Sequence, residues 1–185
     1  MLEKIYEETR TRMTKTVEAV ARELGTVRTG KASPHLLDSV KVEAYGSTLP
    51  LMQLATISAP EPRLLVVQAF DKSTVGEIVK GIQKADLGLN PAAEGNAIRL
   101  VVPALNEERR MELAKHCKHI AEEGRVAIRN IRRDINDRVK NAQKEKQISE
   151  DQAADGHDEV QKLTNDFIEQ IDQLLTRKEK EVMEV

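Results

Sequence analysis

The feature that most constrains the fold of this chain is the uninterrupted helical pattern that follows Pro103. Apolar residues recur there at steps of three and four, and no proline occurs between this point and the C-terminus. The stripe consists of Leu113, Cys117, Ile120, Ile128, Ile131, Ile135, Val139 and Ala142. A helix over residues 107–146 would be about 60 Å long. Because a helix of that length cannot bury its stripe alone, it requires partner helices.

The sequence contains two further stretches that can serve as partners. Residues 2–27 have one apolar helical face, formed by Ile5, Met13, Val17, Val20, Leu24 and Val27. After a break at Gln147 and Ile148, a capping box of Ser149 and Gln152 predicts the start of a last helix. Its seam is Val160, Leu163, Phe167, Ile171 and Leu174. We expect the three helices to pack together as a bundle.

Residues 31–104 follow a different pattern. Alternating or continuous apolar residues predict strands at 40–44, 54–58, 64–70 and 98–102, separated by prolines and glycines. A helix is predicted at 74–84, where Thr74 and Glu77 can form a capping box and Asp71 competes as the cap. These elements indicate a small α/β module.

The predicted fold class is therefore α+β. A long three-helix bundle, residues 1–29 and 106–185, contains an inserted small mixed α/β domain of the β/α/β sandwich-like kind, residues 31–104. The chain crosses between them twice, near residue 30 and at residues 103–105. These two short connections predict a hinge. Its residues are Gly30, Lys31, Pro103, Ala104 and Leu105. The alternative is that the connections are two stiff linkers.

Charge and composition limit the classes of function. Lys and Arg number 29 against 31 Asp and Glu, so no global basic field attracts nucleic acid, and any RNA affinity requires a local patch. The N-terminal residues lack an apolar signal region, and no apolar run is long enough to span a bilayer. We therefore expect a soluble cytoplasmic protein with no membrane partner. The single cysteine, Cys117, excludes an internal disulfide and fits a reducing compartment.

A local basic patch is present on the long helix. Lys118, Arg125, Arg129 and Arg132 fall within a sector of about 60° beside the apolar stripe, and Arg133 adjoins them. Arginines fixed on a rigid helix can fork onto phosphate oxygens, and little acid is expected in the same sector. The patch therefore suggests RNA binding. The alternative is a solvated face whose arginines pair with acids such as Glu122, Asp134 and Asp137.

Other chemistry finds little support in the sequence. The chain has only four aromatic residues, Tyr6, Tyr45, Phe70 and Phe167. They are too few for a protein that recognises single-stranded RNA, because such proteins stack the bases on aromatic side chains. We find no phosphate-binding glycine loop and no nucleophile motif, and the four histidines lack the spacing of zinc ligands. We expect no enzyme activity, metal or cofactor. Cys117 is predicted to be a buried structural thiol, with His116 and His119 facing solvent.

Several long motifs, in order along the chain, resemble the ribosome recycling factors. They are VRTGKASP at 27–34, DLGLNP at 86–91, PALNEERR at 103–110 and EGRVAIRNIRR at 123–133. The resemblance covers essentially the whole chain.

The resemblance implies a monomeric, L-shaped, two-domain protein with roughly the outline of transfer RNA. Its bundle would bind RNA of the large ribosomal subunit. With elongation factor G and GTP it would separate the subunits after termination and release the messenger RNA, while its α/β domain moves about the hinge. Arg132 is the first choice for an essential RNA contact, supported by Arg129, Arg133, Arg125 and Arg28, with Lys31 and Lys118 as further candidates.

Two residues depart from expectation. Lys31 stands where the family usually has arginine, so a forked contact would become a point-charge contact. Gly156 lies within the predicted last helix and costs about 1 kcal/mol relative to alanine, which leaves the start of that helix open. The rival function is a helical protein-interaction adaptor or chaperone cofactor, which an exposed seam on the long helix would favour.

Overall fold

A computed structural model describes residues 1–184 of the chain, so Val185, the last residue of the predicted bundle domain, lies outside the described residues. Residues 1–29 and 107–184 form one compact unit, and residues 30–106 form a second. The helices are α1 (Leu2–Gly25), α2 (Val75–Lys84), α3 (Glu107–Lys144) and α4 (Glu150–Met183). The strands are β1 (Lys41–Ala44), β2 (Ser47–Pro50), β3 (Ala55–Glu61), β4 (Leu64–Ala69), β5 (Pro91–Glu94) and β6 (Ala97–Val101).

In the first unit, α1, α3 and α4 pack against one another as a three-helix bundle. Every residue of the predicted α3 stripe is buried. This stripe is covered by α1 and α4, so within residues 1–184 it is not an exposed seam of the kind that a helical adaptor would use to dock a partner.

The seams of α1 and α4 differ from the predicted ones in detail. Thr9 and Thr164 are buried, and each hydroxyl donates to the carbonyl four residues earlier, at 2.6 Å and 2.7 Å. These bonds satisfy the polar groups, which lets threonine occupy a core position. Leu163 is buried as predicted, but near the end of the α4 seam the buried leucine is Leu175 rather than Leu174, because Leu175 follows Ile171 by four residues and shares its face.

Glycine allows close approach at two points of the bundle. A Cβ on Gly124 would lie 2.4 Å from Val20 Cγ2, so α1 and α3 touch there with no room for a side chain. Gly156 is buried within an unbroken α4, and its Cβ would lie 3.3 Å from Val139 Cγ1. The doubt about the start of the last helix is thus removed, because the helix begins well before Gly156.

The helix ends are set by local signals. Ser149 and Gln152 form both bonds of the predicted capping box, at 3.1 Å and 2.9 Å, which confirms the start of α4. The preceding helix α3 ends at Lys144 rather than 146, because Lys146 adopts a left-handed conformation with φ 59°. Helix α1 ends at Gly25, slightly earlier than predicted.

The second unit contains a hairpin, β1–β2, and a four-stranded sheet in the order β3-β4-β6-β5, with antiparallel pairing throughout. Two of these strands were not predicted. Strand β2 ends in Pro50 and β5 begins with Pro91, and proline normally argues against a strand. Both strands are edge strands, with a partner on one side only. Proline is tolerated in an edge strand because its missing N–H can face the unpaired side.

Helix α2 lies directly on β1, and a Cβ on Gly81 would be 2.7 Å from the carbonyl oxygen of Lys41. The predicted capping box of Thr74 and Glu77 was wrong, because the Thr74 side chain makes no cap bond. Asp71, the competing residue, instead caps a short 3-10 turn at Lys72–Thr74 by accepting from Ser73 N at 2.9 Å.

Candidate nucleic-acid interface

The basic patch on α3 consists of Lys118, Arg125, Arg129, Arg132 and Arg133, which we call the arginine ridge. Its position follows from the helical repeat, because Arg125, Arg129 and Arg132 each directly follow a buried residue, namely Gly124, Ile128 and Ile131. The ridge therefore lies at the border of the core, on the side of α3 that faces α4. Because the stripe beside it is buried, the backbone that carries these cations is fixed.

Arg125 is held by two carboxylates. Its Nε and Nη2 donate to Asp172 Oδ1 of α4, at 2.8 Å and 2.7 Å, and its Nη1 donates to Glu122 Oε2 at 3.1 Å. Burial by itself would lower the pKa of Arg125, but the bonds to Asp172 and Glu122 outweigh it and raise that pKa. With a side chain only 20% exposed, Arg125 anchors α3 to α4.

The same glutamate also holds Arg129, whose Nη1 donates to Glu122 Oε1 at 3.1 Å. The bonds from Arg129 and then Arg125 lower the pKa of Glu122 below its usual value. The expectation of little acid in this sector was therefore wrong for this half of the ridge. The pairing alternative holds here, since a carboxylate at steps of three and seven lies on the same face as the two arginines.

The remaining ridge cations have no such neutralisation. Arg132 Nη1 lies 3.5 Å from Gln161 Oε1 on α4, and Arg133 Nη1 donates to Asn130 Oδ1 at 3.2 Å. Among residues 1–184, no carboxylate lies within ion-pair distance of Arg132, Arg133 or Lys118. Of the other two acids suggested as partners, Asp134 pairs instead with Arg12 of α1, and Asp137 forms no ion pair with another described residue. The positive charges of these three cations are therefore not balanced by an ion pair with another described residue.

The remaining cations that the sequence singled out lie elsewhere. Arg28 is exposed and follows the C-terminal end of α1 in the bundle unit, whereas Lys31 is exposed in the second unit. The five cations of the arginine ridge therefore share one helix, and neither Arg28 nor Lys31 lies on it.

Groups with catalytic or metal-binding chemistry are sparse in the part of the chain that the structure describes. His116 and His119 are exposed, and His119 Nε2 lies 3.0 Å from Glu123 Oε1. Within residues 1–184, no three His, Cys, Asp or Glu residues are grouped so that they could hold a metal ion. Cys117 is buried, and this burial raises the pKa of its thiol.

Sequence reasoning missed the part of the site that α4 supplies. Asp172 and Gln161 reach the ridge from α4, and His157 Nδ1 of α4 lies 2.9 Å from Asn136 Oδ1 farther along α3. No sequence signal links Arg125 with Asp172, which is 47 residues away. The bridging role of Glu122 could have been found from its spacing to Arg125 and Arg129.

No helix among the described residues combines the length and the hydrophobicity needed to cross a membrane.

Comparisons with known proteins identify the same family over nearly the whole chain. The family model described as "Ribosome recycling factor" matches residues 20–183. Ribosome-recycling factors of Carboxydothermus hydrogenoformans and Halalkalibacterium halodurans are each 52% identical over 185 residues, covering all of both chains. The ribosome-recycling factor of Bacillus subtilis is 49% identical over the same length.

Two solved structures are also similar to the chain. A solution structure of the ribosome recycling factor has 42% sequence identity and a TM-score of 0.77, covering 100% of this chain and 98% of the other. The Thermus thermophilus factor in a set of models with Escherichia coli elongation factor G, both bound to the post-termination complex, has 46% identity and a TM-score of 0.65 over the full length of both chains. The predicted α+β class is confirmed, and the chain belongs to the ribosome recycling factor family.

Proposed function

We propose that this protein binds the post-termination ribosome through the arginine ridge, which contacts RNA of the large subunit. With elongation factor G and GTP it promotes dissociation of the subunits and release from messenger RNA. It acts in the cytoplasm as a monomer and performs no catalysis itself, so GTP hydrolysis belongs to its partner. Family membership supports this function, as does the complex of a 46% identical relative with elongation factor G.

The observation that carries the RNA-binding part is the uncompensated charge of Arg132 and Arg133. Both lie on a helix whose apolar stripe is buried, so their backbone positions are fixed before any ligand arrives. A guanidinium group without a carboxylate partner can donate two parallel bonds to a phosphate and loses no ion pair in doing so. Arg132 is therefore the strongest candidate for an RNA contact, with Arg133, Arg129, Arg125, Lys118, Arg28 and Lys31 supporting it.

We propose the hinge from the backbone hydrogen bonds that fix the chain on either side of the two connections between the units. On the bundle side, Val27 is buried and its N–H donates to Leu24 O at 3.1 Å. On the other side, Ala32 N donates to Pro62 O at 2.7 Å, and Val102 N donates to Arg63 O at 2.8 Å. The proposed hinge lies between these bonded points, near residue 30 and at residues 103–105.

Within the second unit, the two ends of the inserted segment meet. Gly30 has φ 75°, a conformation that favours glycine, and its Cβ would lie 3.2 Å from Leu105 Cγ. Adjacent ends let the inserted domain turn as one body, which is what a hinge at Gly30, Lys31, Pro103, Ala104 and Leu105 requires.

The proposal is tested by sedimenting the protein with isolated large ribosomal subunits across a salt series. We expect Arg132→Ala to weaken binding by about 1–3 kcal/mol, or roughly fivefold to over a hundredfold, because a charge-assisted contact is lost. Its fold should persist, since Arg132 borders the core, and circular dichroism checks this.

The matched control is Arg138→Ala. It removes the same charge from the same helix, but Arg138 pairs with Glu8 of α1 at 2.7 Å and lies outside the ridge. An equal loss of binding in both variants would show that net charge rather than the ridge is responsible. Failure of the unaltered protein to bind at low salt would reject the proposed function.

A second assay tests recycling itself. Light scattering follows dissociation of ribosomes into subunits after addition of the protein, elongation factor G and GTP. We expect dissociation to require all three, and Arg132→Ala to reduce its rate at subsaturating protein. Dissociation that proceeds equally without this protein would contradict the proposal.

A further inference from the structure

We propose that Glu122 is a positioning residue of the arginine ridge, which holds Arg129 in the free protein and gives Arg129 up to a phosphate of the RNA on binding. This inference rests on the proposed function, in which the ridge binds ribosomal RNA.

The geometry of the Glu122 carboxylate supports this role. Oε2 accepts from Arg125 Nη1 and Oε1 accepts from Arg129 Nη1, each at 3.1 Å. One carboxylate thus bridges two guanidinium groups, as two oxygens of a phosphate could. Glu122 therefore occupies donors that an RNA backbone would use, and the two acceptors compete.

Ion pairing divides the four arginines of the ridge into two halves. Arg125 and Arg129 are balanced by Glu122 and Asp172, so this half has no net charge in the free protein. Arg132 and Arg133 have no carboxylate partner among the described residues, so their charges are not balanced. The second half therefore attracts RNA from a distance, whereas Arg129 joins only after its bond to Glu122 is exchanged for a phosphate.

The exchange involves Arg129 rather than Arg125 because the two arginines are held differently. Arg125 donates twice to Asp172 in addition to Glu122, and its side chain is 20% exposed. The side chain of Arg129 is 37% exposed, and among the described residues Glu122 is its only ion-pair partner. Loss of the Glu122 charge would release Arg129 while Arg125 stays anchored to α4.

The test is Glu122→Gln in the sedimentation assay with isolated large ribosomal subunits. Glutamine keeps the size of the side chain and removes the charge. We expect binding about two- to fivefold tighter than that of the unaltered protein at low salt, the factor that corresponds to one exposed ion pair that no longer has to be broken. The gain should shrink as salt rises, because salt screens the Glu122 pairs as well.

Two comparisons separate this role from a general effect of charge. Glu123→Gln makes the same charge change one residue farther along α3, where the carboxylate faces His119 instead. We expect it to leave affinity within about 1.5-fold of the unaltered protein, since surface charges outside the contact contribute little. In an Arg129→Ala background, Glu122→Gln should bring no gain, because the residue through which it acts is gone.

The results distinguish this inference from the proposed function. Tighter binding by Glu122→Gln alone, abolished in the Arg129→Ala background, supports it. Binding by Glu122→Gln that is weaker than, or equal to, that of Glu123→Gln overturns it, as does a gain that survives Arg129→Ala. In either case, a loss on Arg132→Ala leaves the proposed function standing. If the unaltered protein does not bind at low salt, both are rejected.

Discussion

Replacement of Gly124 by alanine tests whether the close approach of α1 and α3 is a real constraint on the bundle that supports the ridge. The added Cβ would lie 2.4 Å from Val20 Cγ2 and 3.2 Å from Ile171 Cδ1. Carbon atoms normally pack at about 3.5–4.0 Å, so the contact with Val20 requires a shift of more than about 1 Å. Val20 is buried and β-branched, which limits its freedom to rotate away.

The magnitude follows from two opposing effects. Overpacking of a core costs about 1–3 kcal/mol, and replacing a helical glycine by alanine contributes about 1 kcal/mol of stability. We expect Gly124→Ala to lower the free energy of unfolding by about 1 kcal/mol. In a Val20→Ala background the clashing methyl group is absent, so the same substitution should raise the free energy of unfolding by about 1 kcal/mol. The predicted effect therefore changes sign between the two backgrounds.

The assay is urea denaturation followed by far-ultraviolet circular dichroism on the four proteins of this cycle. Gly156→Ala is the matched control, because its Cβ would lie no closer than 3.3 Å to its neighbours and the glycine is also buried in a helix. We expect Gly156→Ala to be neutral or to stabilise by up to about 1 kcal/mol. The reasoning is refuted if Gly124→Ala stabilises the unaltered protein, or if its effect is the same in the unaltered protein and in the Val20→Ala background.

Two further predictions concern a helix cap and an ionisable side chain. Ser149→Ala should lower the free energy of unfolding by about 1 kcal/mol, since it removes the acceptor for Gln152 N at 3.1 Å; Ser47→Ala, on an exposed strand, is the control and should change little. The bond from Tyr45 to Asp71, at 2.7 Å, raises the pKa of Tyr45 above the ordinary tyrosine value, with a further contribution from desolvation. The stabilisation from this raised pKa is fully present below the unfolded pKa of about 10 and is lost as pH rises through the folded pKa. In a Tyr6→Phe background, phenolate absorbance should show Tyr45 titrating above that value, and Asp71→Asn should lower the midpoint; an unchanged midpoint would contradict the assignment.

The helices were predictable because their determinants lie close together in the sequence. The α3 stripe from Leu113 to Ala142 repeats with the helical period, and the Ser149 and Gln152 box is complete within four residues. Local periodicity and capping need no knowledge of the rest of the chain. The same holds for the position of the arginine ridge, since residues on one helix are placed by their spacing alone.

Strands β2 and β5 were not predictable in this way. Their prolines are tolerated because each strand lies at a sheet edge, and only the strand order shows which strands are edges. Gly156 likewise was expected to destabilise the last helix, whereas in the structure it lets α4 pack closely against Val139 of α3. In both cases the deciding neighbours are distant in sequence.

The sequence by itself therefore determined where the four α-helices form, which face of each long helix is apolar, and that five cations share one side of α3. Only the tertiary structure decided which of those cations are paired with a carboxylate. Asp172 reaches Arg125 from α4, while Arg132 meets the neutral Gln161, and this difference depends on the rotation of two packed helices about their axes. Helical spacing sets the order of side chains along one element, but the field at each side chain is the sum over all the elements packed around it.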